Sequence, residues 1–127
     1  MNIRHDPATK PKVLLVEDDP AVRRSLQLIL QGSGLSVRSY GSAATALADP
    51  MLKEMHGVIA DYRLPDGDGV NLLLAMKAAG FRGHAVLITA FGTPELQASA
   101  YAAGFVRMLQ KPLADRMLRD TMSSLLA

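Results

Sequence analysis

At 127 residues, 49% of them apolar and 20% charged, the chain is long enough to bury roughly two-thirds of its unfolded surface in one core, and its composition excludes the disordered and fibrous classes. The absence of cysteine excludes a disulfide framework, a thiolate metal site and a cysteine nucleophile, and it suits a reducing cytosol, so a cytoplasmic location is expected. The net charge of +2 is dispersed, with only Arg23 and Arg24 adjacent and aromatics at 5%, so this domain is not expected to bind nucleic acid.

The opening "MNIRHDPATKPK" lacks the apolar core of a signal peptide, and no apolar run nears the roughly eighteen residues of a membrane span. Residues 1–11 read as a polar tail and residues 12–127 as one domain. "KVLLV" is a short, branched, continuous apolar run, as expected of a strand covered on both faces. Asp19 then stands as a cap ahead of Pro20, and Val22, Leu26, Ile29 and Leu30 recur at helical spacing until "GSG", which predicts a first helix. "LSVRS" alternates like a half-exposed edge strand, and Ser42 can cap a short helix through "AATALA".

"GVIAD" is a third strand, followed by turn residues and a helix with Val70, Leu73, Leu74 and Lys77 on one side, running to Gly80. "AVLIT" is a fourth strand, and a helix from Thr93 and Pro94 stops at Gly104. "FVRML" is a fifth strand, and a closing helix from Leu113 carries Met117, Leu118, Thr121, Met122 and Leu125 on one stripe. Strand and helix alternate five times with no repeat, linker or low-complexity segment. That order predicts an α/β fold, a single parallel sheet with helices on both faces, because parallel neighbours need right-handed crossovers.

In such sheets ligands bind beyond the carboxyl ends of the strands. Those ends carry Glu17 and Asp18, then Asp61, Thr89 and Lys111. Singly, each has an ordinary explanation as a turn former, cap, strand threonine or solvated charge. Together, three carboxylates at one edge repel and call for a cation, and Mg²⁺ suits an oxygen site with few carboxylates and open positions. A carboxylate nucleophile with Mg²⁺, a hydroxyl and an ammonium is the equipment of phosphoryl transfer through an acyl phosphate.

With "VLLVEDD", "DYRLPDGDG", "LITA" and "QKP" in this order and spacing, the chain from Lys12 onward resembles the receiver domain of bacterial two-component response regulators. The resemblance implies the flavodoxin-like strand order 2-1-3-4-5. It implies that Asp61 accepts the phosphoryl group from a histidine kinase or histidine phosphotransfer protein, and that Asp18, Asp61 and the Arg63 carbonyl bind Mg²⁺ while Glu17 assists through water. Thr89 and Lys111 are implied to contact the phosphoryl group, Asp19 to stand outside the acidic pair, Asp66 and Asp68 to shape the loop, and the Lys111–Pro112 peptide to be cis. An output domain or effector protein is implied as the downstream partner. Many family members place Tyr or Phe three residues before the lysine, whereas this chain has Met108. The rival readings are a pseudo-receiver that binds without phosphorylation, and a phosphohydrolase, which usually carries a second aspartate where this chain has Arg63.

Overall fold

The computed structural model describes residues 10–126, so the tail reading falls outside the described residues except at positions 10 and 11. Five strands form one parallel sheet: β1 (Lys12–Val16), β2 (Ser36–Tyr40), β3 (Gly57–Asp61), β4 (His84–Thr89) and β5 (Arg107–Gln110), in spatial order β2-β1-β3-β4-β5. Five helices connect and close them: α1 (Pro20–Gly32), α2 (Ala43–Leu47), α3 (Gly69–Ala78), α4 (Pro94–Ala103) and α5 (Asp115–Leu126). The α/β architecture and the strand order expected from the sequence are both present. Among the described residues no helix is long and apolar enough to cross a membrane.

Between their polar ends the central strands are apolar because each face meets a helix layer. Val13, Leu15, Ile59, Val86 and Ile88 pack with Leu26 and Leu30 of α1 and Leu118 and Met122 of α5. On the opposite face Leu14, Val16, Val58, Ala60 and Leu87 pack with Ala46 of α2, Leu72, Leu73 and Met76 of α3, and Ala100 of α4. Successive strand residues therefore belong to different cores, which is the period-two rule applied to a sheet covered on both sides. The outer strand β2 is only partly covered, consistent with its polar alternation.

The helix starts follow their caps. Asp19 Oδ1 accepts the N–H groups of Ala21 and Val22, Ser42 accepts that of Thr45, Asp68 that of Asn71, and Thr93 that of Leu96. These side chains satisfy donors that the first helical turn leaves unpaired.

Three expectations need correction. Helix α3 buries Gly69, Leu72, Leu73 and Met76, while Leu74 is 49% exposed and neither Val70 nor Lys77 is buried. Its sequence is apolar almost all round, so periodicity alone could not choose the face; Gly69, seated against Asp61, chooses it. Met117 is exposed rather than on the inner stripe of α5, since one helical step of about 100° carries it away from Leu118 and Met122. Strand β5 begins at Arg107, and Phe105, read as a strand residue, is buried just ahead of it in the core. Two small elements had no signal: a 3₁₀ turn at Leu52–Glu54 and a two-residue antiparallel ladder in which Arg63 and Leu64 face Asp68 and Gly67.

Candidate functional site

Sheet register brings the polar residues to one level. Val16 pairs with Ala60, Asp61 with Ile88 and Thr89 with Gln110, so Glu17, Asp61, Thr89 and Lys111 emerge side by side at the carboxyl edge. The backbone extends this alignment past the strands: Glu17 N–H donates to Tyr40 C=O, Tyr62 N–H to Ile88 C=O, and Lys111 N–H to Thr89 C=O.

Glu17, Asp18 and Asp61 offer carboxylate oxygens that lie within 4.8 Å of one another. Lys111 Nζ stands 2.6 Å from both Glu17 Oε1 and Asp61 Oδ2, so one ammonium bridges the two buried carboxylates while Asp18 is exposed. Asp61 Oδ1 accepts the Arg63 N–H at 3.3 Å, which places the Arg63 main chain against the acceptor while the Arg63 side chain is exposed. Burial pushes the Glu17 carboxyl above its ordinary range despite the hydrogen bonds from Lys111 and the Asp19 N–H. For Lys111, burial works against the charge, but the hydrogen bonds to Asp61 and Glu17 outweigh it and hold the ammonium above its ordinary range.

Thr89 is buried, and its hydroxyl accepts the N–H of Phe91 at 3.2 Å, which ties it to the loop between β4 and α4. Met108 is half-buried, and its Cε would lie 3.1 Å from a Cβ built at Gly92. The Lys111–Pro112 peptide is cis. Asp19 caps α1 and is absent from the acidic cluster.

The donor set fits a hard divalent cation: three carboxylates, one of them exposed, with no histidine nitrogen or cysteine sulfur in the cluster. A Cβ on Gly69 would lie 2.5 Å from the Asp61 carbonyl oxygen and 2.9 Å from Leu87 Cδ1, so only glycine lets α3 start directly beneath β3.

A family model described as the response regulator receiver domain matches residues 13–123. The chain belongs to this family. The receiver domain is 33% identical over 103 residues to the transcriptional regulatory protein FixJ of Azorhizobium caulinodans, covering 81% of this chain and 49% of that protein. It is 33% identical over 116 residues to the transcriptional regulatory protein TdiR of Thauera aromatica, covering 91% and 51%. The chain thus spans about half the length of these curated relatives. Its fold matches a CheY-like receiver domain protein from Methanospirillum hungatei, with a TM-score of 0.83 at 24% identity over 91% of this chain and 92% of that one. It also matches the BeF3-activated DrrB receiver domain, with a TM-score of 0.84 at 22% identity over 92% and 97%.

Some residues around the receiver site had no sequence signal. Arg23 of α1 donates from Nη1 to the Glu17 carbonyl at 2.7 Å. Asp66 Oδ1 and Oδ2 accept the N–H groups of Ala43 and Ala44, each at 2.9 Å, which ties the loop after β3 to the start of α2. Away from the site, buried Asp49 accepts from Tyr40 Oη and Arg38 Nε, each at 2.5 Å, and from the Met51 N–H at 2.7 Å. Each partnership spans elements that are distant in sequence, so no local pattern announces it.

Proposed function

We propose that this receiver domain takes a phosphoryl group onto Asp61 from a phospho-histidine donor and presents an altered surface to an output module or effector protein. The observation that carries the reading is the triple contact at Asp61: a carboxylate at the edge of the central strand, 2.6 Å from the Lys111 ammonium and clustered with the carboxylates of Glu17 and Asp18.

In the transfer, an Asp61 carboxylate oxygen forms the new bond to phosphorus while the bond from phosphorus to the donor imidazole breaks, its electron pair leaving on the ring nitrogen. Glu17, Asp18, Asp61 and the Arg63 carbonyl are the groups that would hold Mg²⁺, which when bound neutralises phosphoryl oxygens. Lys111 moves from Asp61 Oδ2 onto the incoming group, exchanging one anionic partner for another at the same edge. Thr89 donates a hydrogen bond from its hydroxyl to a phosphoryl oxygen, and because that hydroxyl also accepts the Phe91 N–H, its shift draws the loop ahead of α4. Met108, unbranched and adaptable, fills the space left behind with little rotamer strain.

The donor is a histidine kinase or histidine phosphotransfer protein in the cytoplasm. The relatives named transcriptional regulatory proteins are about twice as long, which supports a transcription-regulating module as the output. A phosphohydrolase is disfavoured, because Arg63 stands where such enzymes carry a second aspartate. A pseudo-receiver is disfavoured, because the acidic, hydroxyl and lysine groups are all in place. Intact mass after incubation with a small acyl phosphate or phosphoramidate tests the proposal. One phosphoryl group is expected on the wild type with Mg²⁺, and none with chelator or in Asp61→Asn. Equal labelling of the variant, or labelling indifferent to chelator, rejects it.

A further inference from the structure

We infer that Arg23 is a positioning residue for the acidic loop, holding the Glu17–Asp18 backbone so that the exposed Asp18 carboxylate faces Asp61. The inference rests on the magnesium reading above. The loop after β1 carries two of the three clustered carboxylates, and its main chain is gripped from several directions. Glu17 N–H donates to Tyr40 C=O at 3.0 Å, and Asp19 N–H donates to Glu17 Oε2 at 3.1 Å. Arg23 Nη1 donates to Glu17 C=O at 2.7 Å and, at the long distance of 3.4 Å, to Asp18 C=O. The Glu17 side chain has Lys111 and burial to hold it. Asp18 is exposed, so the placement of its carboxylate depends on the backbone beneath it, and that is where the guanidinium sits.

The neighbouring loop is shaped around this contact. A Cβ built on Gly41 would lie 3.0 Å from Arg23 Nη1 and 4.0 Å from the Glu17 carbonyl oxygen, so a larger residue there pushes against the guanidinium. Arg23 itself is half-buried on the first turns of α1, and its backbone N–H is held by Asp19 C=O. It therefore projects from an anchored base.

Clamp and charge predict opposite signs, which makes the inference testable. By Coulomb's law alone, removing a cation beside three carboxylates should strengthen Mg²⁺ binding. Loss of a clamp that orients a ligand should weaken it, typically on the order of ten-fold or more. Mg²⁺ affinity is to be measured by calorimetric titration on wild type, Arg23→Ala, Arg23→Lys, Gly41→Ala and the Arg23→Ala/Gly41→Ala double variant. Amide hydrogen exchange at Glu17 and Asp19 in chelator, and urea unfolding, accompany each titration. The expected result is roughly ten-fold weaker binding and faster exchange for Arg23→Ala, partial recovery for Arg23→Lys, and a smaller loss for Gly41→Ala that vanishes in the double variant. Wild-type or tighter affinity in Arg23→Ala overturns the inference, as does a loss of affinity with wild-type amide exchange at Glu17 and Asp19, which would show a backbone not held by the guanidinium. If Arg23→Ala fails to fold, Gly41→Ala and Arg23→Lys carry the test, and wild-type affinity in both overturns the inference. Should the wild type bind no Mg²⁺, or Asp18→Ala bind as the wild type does, the metal reading itself falls; wild-type binding that depends on Asp18 but not on Arg23 refutes only the positioning role.

Discussion

Lys111→Met removes the one ammonium between Glu17 and Asp61, whose side chains are 1% and 9% exposed, and keeps most of the apolar stem. Two carboxylates then face each other within 4.8 Å, which at an effective dielectric of about 20 is a repulsion of about 3.5 kcal/mol. The protein can escape by protonating one of them. Taking Glu17 from its ordinary value of 4.5, that costs about 3.4 kcal/mol at pH 7 and about 0.7 kcal/mol at pH 5. The two routes agree, so the variant should lose up to about 3 kcal/mol at pH 7 and far less at pH 5. The sign is fixed by linkage. Burial already raises Glu17 in the folded state, so the proton favours the fold below the ordinary carboxyl range, and that support is lost as pH rises through the raised value. Mg²⁺ should replace the missing counter-ion and return about 2.7 kcal/mol at a hundred-fold excess over its dissociation constant. Urea unfolding in chelator at pH 5 and 7, then with Mg²⁺ at pH 7, measures all three quantities. Equal urea midpoints for wild type and variant in chelator at pH 7, or no extra gain from Mg²⁺ in the variant, would refute the counter-ion argument.

Asp18→Ala should weaken Mg²⁺ binding strongly, whereas Asp19→Ala should leave it nearly unchanged and lower stability by about 1 kcal/mol through the lost cap of α1; calorimetric titration and urea unfolding separate the two. Gly69→Ala should destabilise by about 1–3 kcal/mol, as overpacking does, and slow phosphoryl incorporation because its Cβ would press on the Asp61 carbonyl; wild-type stability and labelling would contradict this. Asp49→Ala should lose about 2 kcal/mol at neutral pH, since it leaves the Tyr40 hydroxyl, the Arg38 guanidinium and the Met51 N–H without their acceptor. Burial opposes the Asp49 charge, but the Tyr40 and Arg38 hydrogen bonds outweigh it and hold the carboxyl below its ordinary 3.8. The gap between wild type and Asp49→Ala should therefore persist above pH 4 and close as pH falls through that lowered value, which acid titration of unfolding can follow.

The strands, three of the four caps and the polar residues at the strand ends were legible because each is a local signal. "KVLLV" and "GVIAD" are apolar without a break, Pro20 and Pro94 open helices behind Asp19 and Thr93, and the alternation of elements implies a parallel sheet whose carboxyl edge collects Glu17, Asp61, Thr89 and Lys111. The inner face of α3 was not legible, since a helix apolar on nearly every side has no periodicity to read, and the contact of Gly69 with the Asp61 carbonyl settles it. Met117 was misplaced for a related reason: its stripe was one residue wider than the surface available beneath α5.

By itself the sequence determined which groups reach the functional edge, because the period of each segment and the residue that ends it are properties of neighbours in the chain. Tertiary structure decided how those groups are held. The Lys111 ammonium bridges carboxylates 94 and 50 residues away, Asp66 secures α2 across 23 and 22 residues, and Arg23 reaches back over its own loop to the Glu17 carbonyl. These bonds exist only where the sheet register and helix packing bring the partners within about 3 Å, a distance that no local pattern encodes.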